Sequence, residues 1–331
     1  MELPDGADGS ITILGREIPI RTCMLKQKDL QFYSDNPRIY SIVHGGSDDL
    51  SQREIEERLR QGDYVKELAT SIRANGGVIE PLIVRDGDYV VLEGNSRLAA
   101  YRQLAEGNPI EWGQVKCTLL PSNIPEECVF ALLGEYHITK RKDWSPFEQA
   151  GYLWRRFKKH NASISQMTKE IGLSARVIGT FVKVYQFMVD HGDEDPQRWS
   201  YYYEYLKSGK VRKAREENLD LDRVIVARIK SGEIARAVEI RNRVVKVIAA
   251  GGKPLKQFLD KDMPVEQSYS TAETRGVNNS VLKTLTKFRM YVAKAGLDKA
   301  IDDMPSAQLD KCKFELKRIN TFTLRLLKKC D

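Results

Sequence analysis

The sequence is poor in cysteine and histidine and has no long apolar run. Its five cysteines are widely spaced without a C-x-x-C pair, and there are only four histidines. Such spacing argues against a disulfide scaffold and a zinc site, and it favours buried free thiols in a reducing compartment. No stretch approaches the roughly 18 apolar residues of a membrane span, and the first residues lack the basic-then-apolar pattern of a secretory signal. We therefore expect a cytoplasmic protein without a membrane partner.

Charge is divided unevenly along the chain. The 331 residues carry 53 Lys and Arg against 46 Asp and Glu, a net charge of +7. Up to residue 150 there are 17 basic and 24 acidic side chains, whereas the rest of the chain has 36 and 22. An acidic first part and a strongly basic second part indicate two roles and a polyanionic partner for the second. The length favours two or three domains, and a hydrophobic content of 41% excludes global disorder.

The first 124 residues predict a mixture of strands and helices. β-rich runs predict strands at 78–85, 89–92 and 115–120, and apolar periodicity predicts helices at 64–75 and 97–105. Beyond residue 125 strand signals nearly vanish, and Ser145, Pro146 and Glu148 form a helix-start pattern. The predicted fold class is α+β. It comprises a small mixed α/β domain at 1–124, an all-α domain at 125–260, a linker at 261–280 and a C-terminal helical hairpin at 281–331.

Two glycine-containing segments of the first region carry chemistry. Residues 77–81 (GVIEP) precede one predicted strand, and residues 94–97 (GNSR) follow the next and open a helix. The start of a helix offers backbone N–H donors and the positive end of the dipole, Gly94 allows close approach of a ligand, and Arg97 can bind a phosphate. On spacing alone, a tight turn with Asn95 as a helix cap is favoured over a phosphate site, because one glycine does not make a phosphate loop.

Taken with two further motifs, these segments resemble a known family. Residues 36–38 (NPR) lie upstream and residues 140–146 (KRKDWSP) lie downstream. In order and spacing over about residues 30–190, the four motifs resemble the ParB/sulfiredoxin fold, specifically the N-terminal domain of ParB-type partition proteins. That family has G-[LV]-I-Q-P, G-E-R-R, N-P-R and Q-R-x-D-L-x-P at the corresponding places.

The resemblance implies a DNA clamp that binds CTP, or ATP in its place, together with Mg2+. The residues at the positions of the family's nucleotide contacts are Gly77, Glu80, Gly94, Asn95, Ser96, Arg97 and Arg141. Asn95 replaces the family's Glu, and Ser96 replaces an Arg, which removes one phosphate partner. The family's E-N-x-x-R motif, which serves metal binding and hydrolysis, falls on residues 137–141 with neither Glu nor Asn in register. Glu135, two residues earlier, is the candidate metal ligand. The groups for even weak CTP hydrolysis are therefore missing from the motif. A sulfiredoxin needs a cysteine where Asn95 stands, which excludes that activity. A nuclease or a nucleotide-dependent phosphotransferase remains the alternative.

Residues 164–185 predict a helix-turn-helix. Met167 and Ile171 form the inner face of the first helix, Gly172 allows the turn, and the second helix turns Val177, Ile178 and Phe181 inward. The predicted DNA contacts are Ser174, Arg176, Thr180 and Lys183 on the second helix, with Arg155 and Lys158 on the helix before the motif. A plain helical hairpin is the alternative, but residues 151–189 hold seven basic residues and one acidic one, which favours DNA.

The remaining region predicts helices and self-association. Residues 199–205 (WSYYYEY) predict aromatic packing in a helical core rather than a base-stacking surface. Apolar positions recur every three or four residues from Leu309 to Cys330, which indicates a dimer contact or an internal core. The expected function is a ParB-like DNA-binding protein of plasmid or chromosome partition, associated with the nucleoid or a plasmid. Its expected partners are double-stranded DNA, a nucleotide, a second copy of the chain and a partition ATPase. A repressor that has kept the fold without the nucleotide is a third interpretation.

Overall fold

The computed structural model describes residues 8–36, 50–140, 144–275, 280–292 and 295–329. The chain forms two compact units, Met1–Arg241 and Asn242–Asp331. The first unit contains the sheet and most of the helices. The predicted α+β class is confirmed, with strands confined to the first 120 residues of the described chain.

The first unit is built on a six-stranded mixed sheet. Its strands are β1 (Gly9–Ile13), β2 (Arg16–Lys26), β3 (Gln31–Phe32), β4 (Leu82–Arg85), β5 (Val90–Glu93) and β6 (Gln114–Leu120). Their order is β1-β2-β6-β4-β5-β3. β4 runs parallel to β6 and antiparallel to β5, and β2 pairs antiparallel with β6 from Arg21 opposite Leu119 to Lys26 opposite Gln114. The hairpin of β1 and β2 extends the sheet beyond the strands that the sequence predicted.

Helices cover both faces of the sheet. Those of the first unit are α1 (Gln52–Gln61), α2 (Asp63–Asn75), α3 (Asn95–Gly107), α4 (Glu126–Gly134), α5 (Pro146–Lys158), α6 (Ile164–Ile171), α7 (Ala175–Asp190), α8 (Trp199–Leu206), α9 (Gly209–Glu217), α10 (Leu221–Lys230) and α11 (Ala237–Glu239). A π-helical segment, Glu135–Lys140, continues α4. Along β4, Leu82 and Val84 join one apolar core and Ile83 joins the other, since neighbouring residues of a strand point to opposite faces.

The predicted start of α5 is confirmed in atomic detail. Ser145 Oγ accepts a hydrogen bond from the Glu148 backbone N–H at 3.3 Å, and the Glu148 carboxylate accepts one from the Ser145 N–H at 2.5 Å. This reciprocal capping satisfies two N–H groups that a helix start leaves unpaired. Pro146 occupies the first helical position, where its missing N–H carries no cost. The helix that leads to the basic region therefore has a fixed origin.

The second unit is helical. A π-helical segment (Ile240–Val244) leads into α12 (Val245–Ala250), α13 (Gly252–Leu259), α14 (Val265–Glu273), α15 (Ser280–Val292), α16 (Ala295–Asp302) and α17 (Ser306–Leu327). Within the range predicted as a linker, α14 is a helix with Val265 and Tyr269 buried. The domain boundaries at 124, 260 and 280 stay predictions. Among the helices described, none has the length and apolar character needed to cross a membrane.

Candidate functional site

The two glycine-containing segments meet at one pocket. This cavity of about 360 Å³ lies where α3 begins, between the end of α2 and the end of β5. Its lining includes six of the seven residues predicted to contact a nucleotide: Gly77, Glu80, Gly94, Asn95, Ser96 and Arg97. The seventh, Arg141, lies outside the described residues. The fold thus brings together, in one concave site, residues that the sequence separates by up to 20 positions.

Arg97 joins the two segments. Its guanidinium donates to the backbone carbonyls of Glu80 at 2.5 Å and Pro81 at 3.3 Å, and its other terminal nitrogen binds the Glu93 carboxylate. The Arg97 side chain is only 14% exposed. These contacts orient the guanidinium at the pocket wall, so Arg97 presents its charge in a fixed direction. The sequence predicted a phosphate contact here but gave no sign of the clasp between the segments.

Position 94 requires glycine for two reasons, its backbone conformation and the lack of room for a side chain. Its φ of 100° lies in the left-handed region that side chains disfavour. A Cβ at this position would lie 3.0 Å from Leu82 Cγ and 3.2 Å from Arg97 Nε. The absence of a side chain therefore lets Arg97 fold back across the start of α3.

Asn95 faces the protein interior. Its Oδ1 accepts from the Tyr33 backbone N–H at 2.9 Å, and its Nδ2 donates to the Val91 carbonyl at 2.8 Å. Both ends of the amide are therefore used by the fold, and the side chain does not cap α3. Hydrogen bonding within α3 begins with the Leu98 N–H to the Gly94 carbonyl at 2.9 Å, so the earlier N–H groups point out of the helix end. Asn95 can reach a ligand through its backbone only.

Several pocket residues were not among the predicted contacts. The imidazole of His137 stacks on Trp144, with ring centroids 4.1 Å apart and planes 15° apart. His137 Nε2 lies 3.8 Å from the buried carboxylate of Glu93, and Tyr33 completes the wall. Glu93 comes directly before Gly94, so its place at the end of a buried strand was the one signal available. The sequence contained no signal for His137 and Trp144, because their position at the pocket depends on how the π-helical segment packs against the sheet.

The pocket has no ready-made metal centre. Within the part of the chain that the structure describes, no group of three or more His, Cys, Asp or Glu is placed to hold a metal ion. Glu135, the predicted metal ligand, is exposed and does not line the pocket. The two carboxylates that do line it are Glu80 and Glu93.

The basic region contains two helices joined by a three-residue turn. Gly172, with φ of 79°, ends α6, and Ser174 Oγ accepts from the Val177 N–H at 3.3 Å to start α7. Arg176 and Lys183 are exposed on α7, whereas the Thr180 hydroxyl donates back to the Arg176 carbonyl at 2.8 Å. The prediction that Val177 faces inward is wrong, because Val177 is 39% exposed. Ile178, Val182 and Tyr185 form the buried face instead.

The helix before this motif divides its basic residues between interior and surface. Arg155 is buried and binds the Asp35 carboxylate, and Arg156 is buried and binds Glu170 at 2.8 Å. The structure therefore separates Arg155 from the other predicted DNA contacts, which lie at the surface. Lys158 is exposed and lines a shallow depression together with Lys183 of α7. The cationic surface is smaller than the charge count of residues 151–189 indicated.

Comparison with known proteins gave structural likeness alone. No family model matches the sequence, and no curated protein matches it. The chain is similar to the C-terminally truncated chromosome-partitioning protein ParB from Caulobacter crescentus complexed to the centromeric parS site, with 15% identity over 76% of this chain and 99% of that chain and a TM-score of 0.36. It is also similar to a pNOB8-like ParB N-domain, with 14% identity, coverage of 74% and 99%, and a TM-score of 0.41. A third similar structure is the Caulobacter protein complexed with CTP-γ-S, with 16% identity, coverage of 60% and 98%, and a TM-score of 0.24. These three similar structures are all of ParB proteins.

Proposed function

We propose that this chain is a DNA-binding protein whose α/β part binds a nucleoside triphosphate, with CTP as the first candidate. The observation that carries the proposal is the meeting of residues 77–81 and 94–97 at one pocket, where Arg97 clasps them together. The sequence predicts both segments as nucleotide contacts, and both line this pocket. The role of CTP rather than ATP rests on the family resemblance of these motifs.

The pocket suits a nucleotide in size and in the distribution of polar groups. A volume of about 360 Å³ is within the usual range for small-molecule sites. The start of α3 provides backbone N–H donors and the positive end of the helix dipole, and Arg97 adds a full positive charge. The phosphates are therefore proposed to bind at the start of α3. Leu68, Ile72 and Val78 form an apolar wall that can take the base and sugar.

Magnesium fits this site as a companion of the nucleotide. Glu80 and Glu93 flank Arg97, so a bare triphosphate meets two negative charges as well as one positive charge. Mg2+ is commonly held by one or two carboxylates together with substrate phosphates. Glu80, whose side chain is 48% exposed, is the more accessible ligand. The metal would supply charge neutralisation for the phosphates.

Duplex DNA is proposed to bind along α7 and the end of α5. Arg176 lies near the start of α7, where a recognition helix meets base edges, and Lys158 and Lys183 border one depression, from which each can contact a backbone phosphate. Because these three cations are exposed, they can approach DNA without breaking an internal ion pair. We place the cellular role in plasmid or chromosome partition, with a partition ATPase as a further partner.

Self-association is proposed through the C-terminal helices. None of the residues of α17 is buried, and Leu309, Phe314, Leu316, Phe322 and Leu326 are large apolar residues at its surface. A second copy of this chain is the occupant that the repeated apolar spacing favours. Light scattering at micromolar protein tests this point, and the mass of a monomer would remove it. Cys330, the last position of the repeat, lies outside the described residues.

A calorimetric titration tests the nucleotide and DNA proposals together. The full chain is titrated with CTP and with ATP in the presence of Mg2+, each with and without duplex DNA. Heat from CTP that exceeds heat from ATP is the expected result. Absence of heat from both nucleotides, with DNA binding retained, would leave a DNA-binding protein without a nucleotide and favour the repressor interpretation. Metal-dependent cleavage of plasmid DNA in the same mixtures would instead favour the nuclease.

A further inference from the structure

Two cysteines lie opposite each other in the sheet. In the antiparallel pairing of β2 with β6, Cys23 is the register partner of Cys117. Residues directly opposite in such a pair point to the same face, with Cβ atoms about 4.5–5.5 Å apart. Both cysteines are free thiols in the structure. The fold has therefore placed two reducing groups side by side although 93 residues separate them in the chain.

The two thiols differ in their access to solvent. Cys117 is fully buried in the core that also contains Leu82 and Leu98, and its Sγ lies 3.5 Å from the Val115 carbonyl. Cys23 is half-buried and packs against the edge of the same core. A reagent in solution therefore reaches the pair from the side of Cys23.

We propose that Cys23 and Cys117 form a redox modification site, which a low-molecular-weight disulfide converts into a cross-strand disulfide bond. The Cys23 thiolate attacks one sulfur of the small disulfide, forming a mixed disulfide and releasing one small thiolate. Cys117 then loses its proton and its sulfur attacks Cys23 Sγ, forming the Cys23–Cys117 bond and releasing the second small thiolate. The protein loses two electrons and two protons, and the small disulfide is reduced to two thiols.

The geometry suits the second step. A disulfide requires Cα atoms about 4.4–6.8 Å apart and Cβ atoms about 3.5–4.5 Å apart, and opposite residues of an antiparallel pair have Cα atoms roughly 4.5–5.5 Å apart. The register of Cys23 and Cys117 therefore places their Cα atoms in the range that a disulfide requires, and closure brings the two side chains closer together. Burial raises the pKa of the Cys117 thiol to about 12, with the neighbouring Cys23 contributing further. Burial shields Cys117 from reagents in solution, whereas the sulfur of Cys23 lies next to it, and the raised pKa makes the second step slow at neutral pH and faster at alkaline pH.

The position of the pair connects it to the pocket floor. Cys117 is also the register partner of Leu82 in the parallel pairing of β6 with β4. Leu82 in turn lies directly beneath Gly94. A covalent bond here would fasten β2 to the strand next to the one that supports the pocket.

Treatment of the native full chain with oxidised glutathione tests the proposal. The wild type is expected to lose two titratable thiols and the mass of two hydrogen atoms, and to yield a cross-linked peptide containing Cys23 and Cys117. Its thermal midpoint should rise by roughly 5–10 °C, because the bond closes a long loop. Peptide mapping separates these events from reactions at the other cysteines.

Two matched variants identify the order of the steps. Cys117→Ser should retain glutathione on Cys23, since the thiol that displaces it is gone, whereas Cys23→Ser should leave Cys117 unmodified. Cys117→Ala serves the same purpose if the buried hydroxyl of the serine disturbs folding. Glutathione that persists on Cys23 of the wild type, or a Cys117 that reacts in Cys23→Ser, would overturn the proposal, as would two thiols that survive treatment.

Discussion

Arg97 donates a 2.5 Å hydrogen bond to the backbone carbonyl of Glu80, 17 positions earlier in the chain. The segment that carries Glu80 has no helix or strand of its own, so this bond and the contact to Pro81 define its path along the pocket. The same guanidinium binds Glu93 at the end of β5. One side chain therefore holds the path of this segment and supplies a cation to a pocket that also contains the carboxylates of Glu80 and Glu93.

Replacement of Arg97 by alanine should abolish most nucleotide binding. A hydrogen bond to a charged group contributes about 1.5–3 kcal/mol, so we expect the Kd for CTP with Mg2+ to rise at least tenfold. Arg53→Ala is the matched control, since Arg53 is 87% exposed and lies on α1 in a surface ion pair with Glu57. Because Arg97→Ala also leaves Glu93 without its partner, urea unfolding must accompany the titration. Wild-type affinity in a folded Arg97→Ala protein would show that the phosphates lie elsewhere.

Gly94→Ala should destabilise the first unit and weaken nucleotide binding together. The left-handed backbone and the close approach to Leu82 predict a cost of about 1–3 kcal/mol in the free energy of unfolding. Gly107 ends the same helix, and a Cβ there would meet nothing within 4 Å. Gly107→Ala should therefore change the unfolding free energy by less than about 0.5 kcal/mol. Equal effects of the two substitutions in denaturant unfolding would contradict this assignment.

Removal of the two exposed cations of α7 should lower DNA affinity and its dependence on salt. If Arg176 and Lys183 each neutralise one phosphate, the double alanine variant should reduce the slope of log K against log salt by about 1.8. The control is Arg53→Ala with Lys66→Ala, which removes the same charge from the surface of α1 and α2. Fluorescence anisotropy over a series of salt concentrations measures both slopes. A reduced slope in the control variant alone would place the DNA on another surface.

Substitution of Arg155 should affect mainly stability, whereas substitution of Lys158 should affect mainly DNA binding. Among the described residues, Arg155→Ala leaves Lys159 at 3.5 Å and His160 at 3.6 Å from the Asp35 carboxylate, and we expect a loss of about 2–4 kcal/mol in unfolding free energy. Lys158→Ala should leave stability within about 0.5 kcal/mol and weaken DNA binding. Denaturant unfolding and anisotropy on both variants check the contrast. It fails if Arg155→Ala remains as stable as the wild type but binds DNA poorly.

Alkaline pH should destabilise the helical core through its tyrosines. Burial raises the pKa of Tyr202, and its hydrogen bond to the Asp193 carboxylate raises it further. Burial and the nearby Asp222 charge likewise raise the pKa of Tyr205. Both phenols stay protonated in the folded chain while those of the unfolded chain ionise near pH 10, so stability is full below that pH and is lost above it.

Each such tyrosine contributes up to about 1.4 kcal/mol of lost stability per pH unit above pH 10. Tyr202→Phe with Tyr205→Phe should therefore flatten the decline of urea-unfolding free energy between about pH 10 and 12. Tyr33 and Tyr152, whose pKa values burial also raises, keep some of the decline in place. A double variant with an unchanged slope would exclude these phenols as its source.

Local pattern predicted much of what the structure contains. The helix expected at 64–75 is Asp63–Asn75, and the aromatic run at 199–205 buries Trp199, Tyr202 and Tyr205 in a helical core. Capping chemistry located the start of α5 because it depends on neighbours three residues apart. The two motif segments predicted the pocket wall for a similar reason, since each is one continuous stretch of sequence.

Features that depend on distant residues were not predictable in this way. The sequence around Arg155 predicts an exposed cation. In the structure Arg155 is buried in an ion pair with Asp35, which lies 120 positions away in the chain. The strand β2 was missed because Pro19 and its charged neighbours obscure alternation, and its partner β6 is remote in the chain. The spacing of apolar residues predicted an inward-facing Val177. The rotation of α7 about its axis is instead determined by the packing of Tyr185 against Phe147 and Trp154, which spacing does not encode.

The pairing of β2 with β6 has a consequence for the order of events during synthesis. β2 emerges from the ribosome early, but its hydrogen-bonding partner is complete only once residue 120 has been made. At typical elongation rates of about 5–20 residues per second, the β1–β2 hairpin waits for several seconds with one edge unpaired. Met24 and the charged ends of β2 border that edge. The sheet therefore cannot be completed before residue 120 has been made, and conditions that slow elongation before that residue prolong the period in which β2 can pair with another chain.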